Sequence, residues 1–394
     1  INDSSMLNRR LLRTKVVHAV YASRLAYEAN ILLAHDQLAA VFSPDLNSMQ
    51  VQDKVLLETK RMDAVALFNA FVEESDQAAP SKFSNELAPV VRRTYEQFVK
   101  DNHSDQQFCI SQTVRDTMGI FDQFLTIAQL LIELGHLSKN ERTKPVIEPE
   151  SAFPRSGGLD SNSILLAIEN CTPLKVAVAR KGISWANNLA LVRKLYRESL
   201  KKDDAYTLYC QKAEHSPDED HDMMQHILRR LLFKQEAFVE YMEQADRYWE
   251  TSNELVRSLC IKFLKAAHSQ PNELELPKFS DDWDDDRSFM EELYGQAIQN
   301  DRQYAVYLKE QLIRWDPARV SVVDLVVLKV ALAELIHSPG IPTKVTINEY
   351  IEIAKQYSTP NSGKFVNGIL DVLAEKLQAE GIIRKSGRGL LDNK

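Results

Sequence analysis

Between Pro342 and Leu377 the chain carries two amphipathic helical patterns separated by one short break, which commits the segment to a pair of helices joined by a tight turn. In the first pattern Val345, Ile347, Ile351 and Ala354 recur at helical spacing, leaving Asn348, Glu349, Glu352 and Lys355 for the other faces. Tyr357-Ser-Thr-Pro-Asn-Ser interrupts it: Thr359 is the expected N-cap of the next helix, and Pro360 suits its first position. Phe365, Ile369, Val372 or Leu373, and Leu377 form the expected apolar stripe of the second helix. Gly368 falls in its interior, where Gly costs about 1 kcal/mol against Ala. Close approach of another backbone or of a ligand is the expected reason for it.

Read as one register, Pro342, Lys344, Val345, Ile347, Asn348, Glu349, Ile351, Glu352, Ala354 and Lys355, then Ser362, Lys364, Phe365, Val366, Asn367 and Gly368, resemble the NusB family of bacterial transcription antitermination factors, whose members carry P-x-K-V-x-I-N-E-x-I-E-x-A-K followed by S-x-K-F-V-N-G. Upstream, Trp315, Arg319, Asp324, Leu328, Lys329, Ala331, Leu332, Glu334 and Leu335 resemble the preceding helix of that family, with Lys329 in place of its Arg. At the other end, Arg9, Arg10, Arg13, Ala19 and Tyr21 resemble its opening helix, from which Thr14 and His18 depart where Glu and Gln are usual. The resemblance spans residues 6–29 and about 284–380.

Composition agrees. A chain of 394 residues, 44% hydrophobic and 26% charged, with 12 Gly and 14 Pro, suits a helical globular protein of two or three domains. The net charge of -8 argues against a surface generally coated by nucleic acid, so any RNA site is a local basic patch. Cys109, Cys171, Cys210 and Cys260 lie far apart without a C-x-x-C pair, which fits reduced thiols and neither a disulfide framework nor a zinc site. With no run of about 18 apolar residues and no signal peptide pattern, the expected location is cytoplasmic, away from membranes. The opening Ile-Asn-Asp-Ser-Ser lacks an initiator Met, and Met6 is the expected start.

In chain order, residues 6–30 form the expected first helix of a NusB-like domain. Leu7, Leu11, Val20 and Leu25 point inward, and Arg9, Arg10, Arg13 and Lys15 crowd its first turns. Cations there oppose the helix dipole by roughly 0.3 to 1 kcal/mol each, so phosphate binding explains them better than helix stability does; a solvated basic end is the alternative. Residues 31–162 are an expected helical insertion and linker, with helical patterns near 31–44, 48–76 and 85–135, a break around Ser75–Pro80, and a loop over 137–162. Residues 163–280 carry an approximate repeat: sliding Trp185 onto Trp249 brings Leu191-Val192-Arg193 onto Leu255-Val256-Arg257. Sliding Trp249 onto Trp315 places Met223, Ile227, Phe238 and Tyr241 over Phe289, Leu293, Tyr304 and Tyr307, as a duplicated helical hairpin requires. Residues 281–383 are the expected C-terminal NusB-like core and 384–394 a flexible tail.

His215-Ser-Pro-Asp-Glu-Asp-His221-Asp222 and Asp281-Asp-Trp-Asp-Asp-Asp286 hold metal-ligand residue types without metal-site spacing. Acidic runs before helices favour the positive helix end and stay solvated. No H-E-x-x-H, G-x-S-x-G or Walker sequence occurs, so neither a cofactor nor an enzyme is expected.

The resemblance implies an all-α, NusB-like bundle with a large all-helical insertion. It implies binding of boxA-type single-stranded RNA from ribosomal RNA transcripts, together with NusE, a small-subunit ribosomal protein, in support of the RNA polymerase elongation complex. On it, Arg9, Arg10 and Arg13 would meet phosphates, Asn361 would bond a base or backbone, Lys364 would add charge and Phe365 would stack on a base; Tyr21 and Asp324 would face NusE. From the residues alone, Phe365 and Tyr21 are equally ordinary core aromatics, Asp324 an early-helix charge and Lys364 a solvated one. Two alternatives remain at this point. One is a helical protein-interaction scaffold whose RNA site has decayed. The other is a non-catalytic relative of the RNA-binding domain of RNA cytosine methyltransferases.

Overall fold

The computed structural model describes residues 7–44, 47, 51–74, 87–143, 153–312 and 320–393. Every regular element among them is helical, as the all-α reading expects. The chain runs through α1 (Arg9–Val41), α2 (Lys54–Glu74), α3 (Leu87–Arg142), α4 (Ser163–Asn170) and α5 (Thr172–Lys181). α6 (Leu189–Leu195) continues as a π-helical turn over Tyr196–Leu200; α7 (Asp204–Gln211) follows, and α8 (Pro217–His226) again runs into a π turn, Ile227–Leu231. Then come α9 (Glu236–Ala245), α10 (Trp249–Ser269), α11 (Trp283–Gln299), α12 (Asp301–Leu312), α13 (Val322–His337), α14 (Thr343–Tyr357) and α15 (Ser362–Ala379).

Two compact units divide the chain, one of Ile1–Leu11 with Arg115–Asp286, the other of Leu12–Val114 with Arg287–Lys394. The division cuts across the segments 6–30, 31–162 and 281–383 and leaves 163–280 whole, because most of α1, α2 and the first half of α3 join the C-terminal helices. Residues 31–41 are not a separate helix: nothing between Arg9 and Val41 breaks the run, which contains neither Gly nor Pro. Helix also persists to Arg142, past the expected loop start at 137, whereas the break near 75–80 and Met6 lie outside the described residues.

In the second unit α13 is central. Ser321 caps it, its hydroxyl accepting from Asp324 N at 3.0 Å, and every residue from Val326 to Leu335 is buried. A helix buried on all sides needs apolar residues all round, and Val-Val-Leu-Lys-Val-Ala-Leu-Ala-Glu-Leu supplies them with two polar exceptions. α14 and α15 pack against it and against each other. The buried face of α14 is Thr346, Ile347, Tyr350, Ile353 and Ala354, rotated from the expected stripe: Val345 is 44% exposed. On α15 the core residues are Val366, Ile369, Leu370, Leu373 and Leu377; Phe365 is only half-buried and Val372 faces solvent. The helix begins at Ser362, later than expected. Pro360 serves a turn, in which Ser362 N donates to Thr359 O at 2.9 Å, and Asn361 occupies the N-cap without a side-chain capping bond. Gly368 faces open space, so no neighbouring backbone accounts for it.

Beyond α15, Ser386 N donates to Pro339 O at 3.0 Å and a 3-10 segment covers Gly387–Asn393. These bonds tie the segment expected to be a flexible tail to the α13–α14 connection. A Cβ at Gly389 would stand 2.1 Å from Pro339 O, which is why glycine is required there. A second core, Ala34, Leu38, Leu67, Phe68, Phe71, Val91 and Phe98, joins α1, α2 and α3.

In the first unit the second half of α3 supplies Ile120, Phe124, Ile127 and Leu131 to the core, and Phe124 meets Phe263 of α10 edge-on at 5.3 Å. An 18-residue window of α3 is long and apolar enough to cross a membrane, yet 61% of it is buried inside the protein, as in a core helix. Trp185 and Trp249 are both buried; Trp315 and Arg319 lie outside the described residues. Sliding Trp249 onto Trp315 also brings the hairpin α8–α9 close to register with α11–α12, although only the first copy has a π turn. Both acidic runs start helices, as expected. Ser216 and Glu219 form a capping box on α8, and Asp282 accepts from Asp285 N at 3.1 Å ahead of the first turn of α11.

Candidate nucleic-acid interface

Arg13 is 3% exposed and points into the second unit. Its Nε and one terminal nitrogen donate to the two carboxylate oxygens of Glu334 at 2.7 and 2.9 Å, a bidentate pair across 321 positions of sequence. Thr346 Oγ1 donates to Glu334 Oε1 at 2.8 Å and Tyr350 OH to Oε2 at 3.2 Å, while Glu349 stands 3.7 Å from the guanidinium and the Phe289 ring lies 5.6 Å from it. Burial, and then the adjacent Glu334 carboxylate, push the Tyr350 hydroxyl well above its ordinary pKa. Arg13 is therefore a clamp fixing α1 to α13, which corrects its expected role as a phosphate ligand. The other two arginines of the run also separate from it. Arg9 pairs with Asp285 and, at 3.6 Å, with Asp286, while Arg10 is exposed; both belong to the first unit, not to the unit of α15. Nothing in helical periodicity signals this split. Glu334 and Lys329, the two charges inside an otherwise apolar helix, are the sequence signal that a buried pair exists.

At the head of α15 the remaining candidates do come together. Asn361, Lys364 and Gly368 are exposed and Phe365 is half-buried; at spacings of three, four and seven they share one helical face. Asn361 leaves the first amides of the helix without a side-chain cap, so the positive end of the helix dipole adds to the charge of Lys364. Among the described residues Lys364 has no ion-pair partner. The open space at Gly368 extends this face by removing a side chain from it.

Asp324 lies behind that face and is 2% exposed, so its expected contact with a protein partner is corrected as well. Its Oδ2 accepts from Ser362 Oγ at 2.9 Å, at the first residue of α15, while its own backbone N is bound by the cap of α13. Two helix N-termini thus converge on one buried carboxylate, whose Oδ1 has no hydrogen-bond partner among the described residues. Asp324→Asn is expected to lower stability by about 1 to 2 kcal/mol in chemical denaturation. An unchanged midpoint would show that the charge does not matter there. Tyr21, the other residue expected to face a partner, is half-buried on α1.

An all-helical bundle closed by an internal ion pair, with an amide, lysine and aromatic helix end turned to solvent, sets the class of this protein. Residues 254–375 form a NusB family domain, the part of the chain that the NusB family model matches. That match starts inside α10, ahead of the 281 expected from sequence, and does not include α1. Three proteins named transcription antitermination protein NusB are similar to it. The one from Chloroherpeton thalassium is 39% identical over 106 residues, 27% of this chain and 50% of that protein. The Salinibacter ruber protein is 36% identical over 105 residues, 27% of this chain and 66% of that protein. The Thermotoga maritima protein is 54% identical over 69 residues, 18% of this chain and 49% of that protein. The chain therefore spans about half to nearly two thirds of the length of these relatives. No solved structure matches it.

Proposed function

We propose that this protein is an RNA-binding antitermination factor that holds boxA-type single-stranded RNA of ribosomal RNA transcripts together with NusE, and so promotes processive elongation by RNA polymerase in the cytoplasm. The observation that carries this reading is the exposed face of Asn361, Lys364, Phe365 and Gly368 at an uncapped helix start, inside the NusB-family residues. Lys364 and the helix end attract a phosphate, Phe365 offers a ring edge or face to a base, and Asn361 donates or accepts at a base edge. Tyr21 is the residue we assign to the NusE side, and Arg10 is the one arginine of the opening run exposed enough to meet phosphate. The reading assigns no catalytic step and no cofactor.

The test is binding of a boxA-like oligonucleotide to the full chain with NusE across a salt series. Phe365→Ala is expected to weaken binding by about 1 to 3 kcal/mol, and Lys364→Ala to flatten the salt slope by about 0.7. A chain that binds NusE but leaves the RNA free at low salt would be a scaffold instead, and affinity unchanged in both variants would remove the site from α15.

A further inference from the structure

The segment Cys171–Lys202 carries eight basic side chains and one acidic one, Glu198, in a chain whose net charge is -8. Neither the NusB-family residues nor the proposed RNA site includes it. Its distal part, α6 and the π turn Tyr196–Leu200, presents Arg193, Lys194 and Arg197 to solvent. This π turn packs against the second one, Ile227–Leu231, which presents Arg229 and Arg230. π-Helical turns are rare and lie frequently at functional sites. Here two of them meet, each burying apolar residues and turning arginine outward.

Four other cations of the same unit have counter-charges: Arg142 with Asp160, Lys181 with Asp122, Lys201 with Glu141 and Lys212 with Glu219. Among the described residues, Arg193, Arg197, Arg229 and Arg230 have neither an ion-pair nor a hydrogen-bond partner. Like charges left unpaired on neighbouring elements repel one another in the free protein, and a polyanion relieves that repulsion. Guanidinium groups favour phosphate, which they grip bidentately. No aromatic side chain is exposed on these elements, so nothing there can stack on bases. We infer that the paired π turns form a second, sequence-independent binding surface for the phosphate backbone of single-stranded RNA.

This inference rests on the RNA-binding reading above, and one experiment separates the two. Binding of full-length protein to a polyuridylate 20-mer and to a boxA-like oligonucleotide is measured against salt, for wild type and for a variant with Arg193, Arg197, Arg229 and Arg230 all changed to Ala. Expected is a slope shallower by about 0.7 per lost phosphate contact, near 3 in all, with unchanged preference between the two RNAs. The same four positions changed to Lys should keep most of the slope, which controls for folding. If the Ala variant keeps the wild-type slope while Lys364→Ala weakens boxA binding, the second surface is wrong and the first site stands. Loss in the Ala variant with no effect of Lys364→Ala or Phe365→Ala leaves the second surface standing and removes the first. Absence of RNA binding in the wild type ends both, and retention of the slope with loss of an acidic protein partner likewise overturns the RNA assignment.

Discussion

Arg13→Met is expected to destabilise the unit built around α13 by about 3 to 5 kcal/mol, because it leaves the Glu334 carboxylate buried with no cation. Thr346 and Tyr350 continue to donate to it, but two neutral hydroxyls do not replace a guanidinium. For a unit of this size the loss corresponds to a fall of about 6 to 20 °C in its melting temperature. Glu334→Gln is expected to cost less, since Arg13 retains Glu349 at 3.7 Å whereas Glu334 has no second cation among the described residues. That ordering is the discriminating result. If Glu334→Gln proves the more damaging, the carboxylate matters mainly as an acceptor for Thr346 and Tyr350, and α1 is held chiefly by packing. Neither variant should alter the salt slope of RNA binding by the molecules that remain folded.

The second large effect is a loss of stability in acid traced to His18. Burial, and secondarily the charge of Lys15, hold its imidazole down to about 4, and its ring meets Tyr357 edge-on at 4.8 Å. An unfolded chain protonates the same side chain near 6.5. Between these values the unfolded state binds a proton that the native state refuses, so stability falls as pH drops from about 6.5 to about 4 and levels off below that, by at most about 3 kcal/mol. His18→Gln, which places at this position the residue usual in the resembling helices, removes the ionisable group. The variant and wild type should therefore differ in the pH dependence of their denaturation midpoints over that window and nowhere else. Parallel profiles would mean that the ring is solvated in the native state. His221 and His337 are also held low by burial, but they are common to both proteins and cancel in the comparison.

The architecture is legible where local spacing decides it. The helical pair over 342–377 announces itself through periodicity and the Thr-Pro-Asn-Ser break, and its family register through more than a dozen side chains. What spacing cannot resolve is rotation by one residue. Val345 and Thr346 both fit a helix, and only the demand of Glu334 for the Tyr350 and Thr346 hydroxyls decides which face turns inward. Phe365 reads as core for the same reason, although Val366 fills that place and leaves the ring at the edge. Arg13 misleads because positions three and four apart on a helix are neighbours, so the three arginines look like one patch. The carboxylate that draws Arg13 inward lies beyond the reach of any local rule. The arginines of the π turns are invisible as a group, because the turns that carry Arg197 and Arg229 come together only once two separate segments have packed.

The Arg13–Glu334 bond joins residues 321 positions apart, so the order of synthesis decides when it can form. At elongation rates of about 5 to 20 residues per second, the carboxylate leaves the ribosome some tens of seconds after the guanidinium that needs it. Throughout that interval the first turns of α1 lack their clamp on α13, while its later turns can already pack against α2 and α3, and residues 115–286, almost the whole of one unit, can close on themselves. α13 therefore captures the first turns of α1 after the rest of that helix has packed, and a nascent chain stalled before α13 would hold Arg13 without its carboxylate.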